Sequence, residues 1–135
     1  MSAMPGTPAP RLALYLRAEA ARPFSWGSAD CAAFVAGWVG LRRGIDYPQY
    51  EGEAAARALT GSPGGILRLA ARAMRQAGFR VARDEPQPGD VGIVRVGAVT
   101  ACAIKTGRGW VMRGHAGLTM LPSDNLRVIA RWRVG

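Results

Sequence analysis

The sequence predicts an α+β domain, with helices in its first half packed on an antiparallel sheet formed by its second half. Three observations carry this expectation. Apolar residues recur at helical spacing between Arg11 and Ala77. Beyond Gly78 the period falls to two. Turn-forming clusters of Gly, Pro, Ser and Asn then separate short apolar runs. Helices followed by strands, rather than alternating with them, segregate into layers. At 135 residues the chain suits one hydrophobic core. It reads as a small, Pro-rich N-terminal arm at 1–10 and a single domain at 11–135.

In the run from Arg11 to Ala21, Leu12, Tyr15, Leu16 and Glu19 share one face, and Pro23 ends it. A helix beginning near Pro10 follows. The next helix is expected from about Ala29 to Arg43, with Gly44 as its stop. Cys31, Phe34, Val35, Trp38 and Val39 follow i, i+3, i+4, i+7, i+8 spacing and form its buried stripe. Arg42 and Arg43 fall at its C-terminal end, where positive charge is favourable. After a turn at Asp46–Gln49, Tyr50 to Leu59 reads as a short helix. Gly61-Ser62-Pro63-Gly64-Gly65 then breaks the chain. Ile66 to Ala77 is a further helix closed by Gly78. Ile66, Leu69, Ala70 and Ala73 face inward, while Arg68, Arg72 and Arg75 face out.

Phe79 to Arg83 alternates as a short strand, and Pro86-Gln87-Pro88-Gly89-Asp90 turns the chain. Val91 to Val96 and Val99 to Lys105 are apolar strands. Gly107-Arg108-Gly109 is a hairpin signal leading into a strand at Trp110 to Met112. Arg113 to Gly117 reads as a loop carrying the single histidine, His115. Leu118 to Leu121 is short and extended. Pro122-Ser123-Asp124-Asn125 turns, and Arg127 to Val134 is the last strand.

Composition narrows the function classes. No apolar run reaches the ~20 residues of a membrane-crossing helix, and no basic-then-apolar start marks a secretory signal. Neither a membrane span nor a signal peptide is therefore expected. Cys31 and Cys102 could form one disulfide, but a free intracellular pair is the expectation without a signal peptide. The sequence contains no CxxC, no HExxH and no second histidine, so no metal or cofactor is expected. The net charge is +9, nearly all from arginine, since Lys105 is the only lysine. Such a balance suits an acidic protein surface, bacterial wall polymers or nucleic acid. The arginines are scattered, with Arg42-Arg43 the one adjacent pair, and no aromatic-basic ladder appears. That favours a solvated basic surface over a nucleic-acid groove.

The stretch Pro23-Phe24-Ser25-Trp26-Gly27-Ser28-Ala29-Asp30-Cys31 carries the clearest chemical signal. It is a loop running into a helix start that Ser28 or Asp30 can cap. Cys31 then sits among free backbone amides at the positive end of the helix dipole, where a thiolate is favoured. This placement suits a nucleophile. The same residue on an apolar stripe also suits a small core side chain.

Trp26-Gly27 followed by Asp30-Cys31 and Phe34-Val35 resembles the nucleophile motif of the NlpC-type cell-wall cysteine peptidases, which are compact papain-like amidases. Pro88-Gly89-Asp90-Val91 resembles the Gly-Asp lead-in to that family's first sheet strand. The run from Ala101 to Met112, with two glycines about its turn, resembles the family's next hairpin. The likeness extends from about Pro23 to Val134 and is closest to small phage and prophage proteins encoded among tail genes. It implies a papain-like fold with Cys31 at the nucleophile position. It also places Ala101 where the family has its general-base histidine, and Arg113 near the third polar residue that orients this histidine. Alanine cannot accept a proton, and arginine stays protonated. Ala32 also follows the cysteine where the peptidases commonly have serine.

Two functions follow from the resemblance. With the base missing, it implies a structural component of a phage or phage-like tail, at the tail tip or baseplate, reaching the virion after assembly in the bacterial cytoplasm. Its partners would be other tail proteins, met through exposed arginines. Bacterial peptidoglycan is a further candidate contact, and nucleic acid is disfavoured. The alternative is an active murein-degrading cysteine amidase or endopeptidase. There His115 would serve as base to Cys31, brought over the helix start by the 113–117 loop.

Overall fold

A computed structural model of the chain describes residues 9–25, 30–44, 52–55 and 64–134. Their named elements are α1 (Ala9–Ala20), α2 (Cys31–Gly40), α3 (Gly65–Gln76), β1 (Val91–Val96), β2 (Val99–Lys105), β3 (Trp110–Gly114), β4 (Gly117–Met120) and β5 (Leu126–Trp132). Helix α1 takes in Ala9 and Pro10, which the sequence assigned to the arm. Residues 52–55 form a helical turn within the helix expected at Tyr50–Leu59. The rest of that helix lies outside the described residues, as do the turn at Asp46–Gln49, the break at 61–63, residues 1–8 and the motif positions Trp26, Gly27, Ser28 and Ala29.

Each helix buries the face that its spacing marks. On α1, Leu12 and Glu19 are buried, and Tyr15 and Leu16 pack against the core. The Tyr15 hydroxyl donates to the Phe34 carbonyl at 2.5 Å, and the two rings stack with centroids 5.9 Å apart. This joins α1 to α2. It also explains Gly37, because a Cβ there would collide with the Tyr15 hydroxyl. On α2, Phe34, Trp38 and Val39 are buried, with Cys31 and Val35 packed against the same cluster. Helix α3 buries Ala73 and Met74 and leaves Arg68, Arg72 and Arg75 exposed. Its end is fixed by Gly78 at φ 89°, which lets the Phe79 and Gly78 amides reach back to the Met74 and Arg75 carbonyls at 3.0 Å each. Arg43 donates to the Gly78 carbonyl at 3.0 Å and lies 4.9 Å from the centre of the Phe79 ring.

The five strands form one antiparallel sheet in the order β4-β3-β2-β1-β5. One bulge interrupts the β1–β5 pairing, between Ile93 and Val94. The strand expected at Phe79–Arg83 is reduced to a single bridge between Val81 and Trp132, with the Ala82 amide donating to the Arg131 carbonyl at 2.7 Å. Phe79 is already committed to the end of α3, which leaves too short a run to extend the sheet. The expected loop at Arg113–Gly117 is also corrected. Strand β3 runs on to Gly114 and pairs there with Gly117 of β4, so His115 and Ala116 form a tight two-residue turn. Glycines on both sides, with Gly117 at φ 127°, permit that closure.

The sheet is apolar on both faces. Val91, Ile93, Cys102, Ile104, Val111 and Trp132 join the helices in the main core. Val94, Ala101, Ala103 and Trp110 form a second cluster, with Met112, Leu121 and Leu126 packed against it. Among the described residues, no helix is long and apolar enough to cross a membrane.

Candidate functional site

Cys31 is the first residue of α2, and Asp30 caps that helix, its Oδ1 accepting from the Ala33 amide at 2.9 Å. Of the two capping residues the sequence offered, Asp30 therefore takes the role. The partner of Cys31 comes from β2. Side chains alternate along a strand, so Ala101 and Ala103 fall in the far cluster while Cys102 and Ile104 fall in the helix-side core. Cys102 thus lies on the helix-side face of β2, in the core cluster that Cys31 packs against. Both cysteines are free, Cys102 buried and Cys31 half-buried.

The two thiols are driven apart in acidity. The neighbouring Cys102 thiol lowers the pKa of Cys31 against the opposing effect of burial, with help from the Cys102 and Ala32 amides; the Asp30 carboxylate also opposes. Cys102 is pushed well up, chiefly by the neighbouring Cys31 thiol, and burial adds to this.

The other sequence-predicted residues lie in different contacts. Arg113 is buried, donating from Nη1 to the Arg22 carbonyl at 2.8 Å and from Nη2 to the Glu19 carbonyl. Its Nη2 is 3.9 Å from the Glu19 carboxylate. These carbonyls lie at and just beyond the end of α1, so Arg113 ties β3 to that end, where positive charge is favoured. His115, at the β3–β4 turn, rests its ring on Phe24 with centroids 4.1 Å apart. The structure therefore puts Cys31 and Cys102 in one core cluster, Arg113 against the end of α1 and His115 against Phe24.

Asp90 organises the opposite end of the sheet. It is buried and accepts from Arg131 at 2.5 Å, from Arg133 Nε at 2.7 Å and from the Gln87 amide at 2.9 Å. The preceding carbonyl, that of Gly89, accepts from the Trp38 indole at 2.8 Å, and the Lys105 amide donates to the Asp90 carbonyl at 2.8 Å. This Pro-Gly-Asp turn thus joins α2, β2 and β5 immediately before β1. Among the described residues, no group of three or more His, Cys, Asp and Glu side chains is placed to hold a metal ion.

Residues 7–134 match a family described as a domain of unknown function (DUF6950). The chain belongs to the DUF6950 family. The match spans α1 through β5, so the dithiol and the Asp90 cluster both lie inside the DUF6950 domain. No curated protein and no solved structure matches the chain.

Cys102 is the residue of the helix-side core to which motif matching assigned no role. The signal was present in the alternation of β2, since Cys102 shares its parity with the apolar Ile104 while Ala101 does not. Arg131 and Arg133 were likewise read only as part of a last strand. Their partner, Asp90, lies 41 and 43 residues away.

Proposed function

We propose that this DUF6950 chain is a structural component of a phage or phage-like tail, at the tip or baseplate, built on a papain-like domain without hydrolytic chemistry. The observation that carries the non-hydrolytic reading is where β2 places the residue at the family's base position. Acyl transfer requires a base that takes the nucleophile's proton and returns it to the leaving amine. Ala101, at the family's base position, has no group that could take that proton, and it lies in the far cluster rather than on the helix side. Arg113, at the orienting position, is engaged with the end of α1. The tail assignment rests on the Trp-Gly-x-x-Asp-Cys resemblance. The exposed Arg68, Arg72 and Arg75 of α3 suit acidic patches on neighbouring tail subunits.

Two measurements test the two halves of this reading. Purified chain incubated with peptidoglycan is expected to release no muropeptide fragments above the buffer control. Release that Cys31→Ala abolishes would overturn the non-hydrolytic half. Mass spectrometry of tailed particles purified from the strain that encodes the chain should find it among the virion proteins. Its absence from particles that are otherwise complete would overturn the tail half.

The depressed Cys31 thiol at a helix start favours a second reading, a murein-cleaving cysteine amidase using Cys31 with His115. In that case cleavage would be measurable, and His115→Ala would remove it while leaving the fold intact.

A further inference from the structure

We propose that the outer edge of β5 is a docking strand for an extended, acidic segment of a partner protein, which adds to the sheet there with a carboxylate set against Arg127. Strand β5 lies at the end of the strand order, so one side of it pairs with β1 and the other is an edge. The segment after α3 closes only the last part of that edge, where Val81 bridges to Trp132 and the Ala82 amide donates to the Arg131 carbonyl at 2.7 Å. Along residues 126–130 no described residue pairs with the edge; the Leu126 amide makes only a turn bond, to the Ser123 carbonyl at 3.4 Å. Backbone amides and carbonyls alternate sides along a strand, so this stretch presents unpaired groups outward, which is the template for strand addition. The edge is also held in place beforehand, since Arg131 and Arg133 fasten the end of β5 to Asp90 at 2.5 and 2.7 Å.

Charge selects the occupant. In the register of the sheet Thr100 lies opposite Arg95, and Arg95 lies opposite Arg127, so their side chains share one face in a row across β2, β1 and β5. All of them are exposed. Like charges set directly opposite one another are destabilising, and neither guanidinium has a carboxylate partner among the described residues. Arg95 donates to the Gly97 carbonyl at 3.2 Å. A strand added outside β5 sets one of its own residues opposite Arg127, on the same face and at the outer end of this row. A glutamate or aspartate at that position relieves the repulsion, and the planar guanidinium can donate two parallel bonds to it. The next residues of the added strand turn to the other face, where Val128 lies opposite Val94 of the far cluster. Val128 and Ile129 are each 40% exposed, and apolar residues at those positions would cover them. The fitting segment therefore alternates acidic and apolar residues. A second copy of this chain is a poorer occupant, because β5 against β5 adds a second Arg127 to the edge and joins two chains of net charge +9. Charge on an edge strand guards against self-pairing, and here it leaves the edge open to an acidic strand. None of this depends on the tail assignment, and the surface is not that of the α3 arginines.

The probe is a fluorescein-labelled heptapeptide, Ser-Val-Glu-Val-Glu-Val-Ser, offered to the full chain beside a counterpart with lysine in place of both glutamates. Fluorescence anisotropy should show the acidic peptide bound at least about tenfold more tightly than the lysine counterpart. Hydrogen exchange should show added amide protection within residues 126–130 when the acidic peptide is present. Arg127→Glu should remove the preference for the acidic peptide. Its side chain is exposed, and circular dichroism of the variant reports its folding separately. Failure of the acidic peptide to bind, equal binding of the two peptides, or protection confined to other strands would overturn the proposal. So would a preference that survives Arg127→Glu in a folded variant. Dimers of the chain alone, protected at residues 126–130, would overturn it by making a second copy the occupant. The wild-type measurements stand whatever the variant's stability.

Discussion

Arg131 and Arg113 are both buried guanidiniums, yet the fold accommodates their charge in different ways. Arg131 meets a formal counter-charge, the Asp90 carboxylate at 2.5 Å, and also donates to the Asp84 carbonyl. Asp90 is saturated by Arg131, Arg133 and the Gln87 amide. Arg113 meets mainly dipoles, the carbonyls of Glu19 and Arg22. The Glu19 carboxylate is 3.9 Å from its Nη2, and its Nε has no hydrogen-bond partner. Removing an ion from water costs several kcal/mol, and a helix end offsets less of this than a carboxylate does. The ionic cluster fastens β1 to β5, whereas the dipolar one only orients α1 against β3. The difference teaches that one end of this sheet is held by charge pairing and the other by capping.

The largest expected effect breaks the ionic end. Asp90→Ala leaves Arg131 buried without its carboxylate and should cost about 3–5 kcal/mol in urea unfolding. A loss under about 1 kcal/mol would mean that the cluster is not what holds β5. Arg113→Met comes next. It removes the buried charge together with its bonds, leaving the Glu19 and Arg22 carbonyls to find other partners, so about 1–3 kcal/mol is expected from the same measurement. A penalty exceeding that of Asp90→Ala would reverse the comparison.

Two smaller effects sharpen it. Asp30→Ala deletes the cap bond to Ala33 and should lower stability by about 1 kcal/mol in a thermal melt, placing helix-end capping on the same scale as Arg113. The smallest concerns Asp84, an exposed carboxylate held below its usual pKa chiefly by its hydrogen bond to Arg133. The folded state therefore holds the charged form more firmly than the unfolded chain does. Its contribution is present above the unfolded value of about 3.9 and is lost as pH falls through the lower folded value. Asp84→Asn should accordingly narrow the gap between urea midpoints at about pH 6 and about pH 3. An unchanged gap would show that the outer arm of the cluster is solvent-screened.

The helices were legible because Pro, Gly and a 3.6-residue apolar period are local signals. Gly78 ended α3 as expected, and the Cys31-to-Val39 stripe became the buried face of α2. Strands β1 and β2 were equally plain from their apolar runs. The site was less legible. Strand periodicity is two, so a placement that differs by one residue reverses the face. Matching by motif put the base position on Ala101, which lies in the far cluster, whereas Cys102 lies in the helix-side core. The sequence shows Arg113 only as a residue that stays protonated, because its bond to the end of α1, 91 residues earlier, has no local trace. His115 was given a loop, but the glycines on either side of the His115-Ala116 pair favoured a tight hairpin.

The Asp90 cluster also has a consequence in time. Its turn and carboxylate are synthesised well before Arg131 and Arg133, which follow by 41 and 43 residues. At typical translation rates the interval is roughly 2–10 s. Throughout it, helices α1 to α3 and the turn that receives Trp38 already exist as sequence, but the carboxylate has no guanidinium to accept it into the interior. The nascent chain therefore keeps this side of the sheet hydrated until β5 arrives, and final docking of the sheet becomes a late event in synthesis.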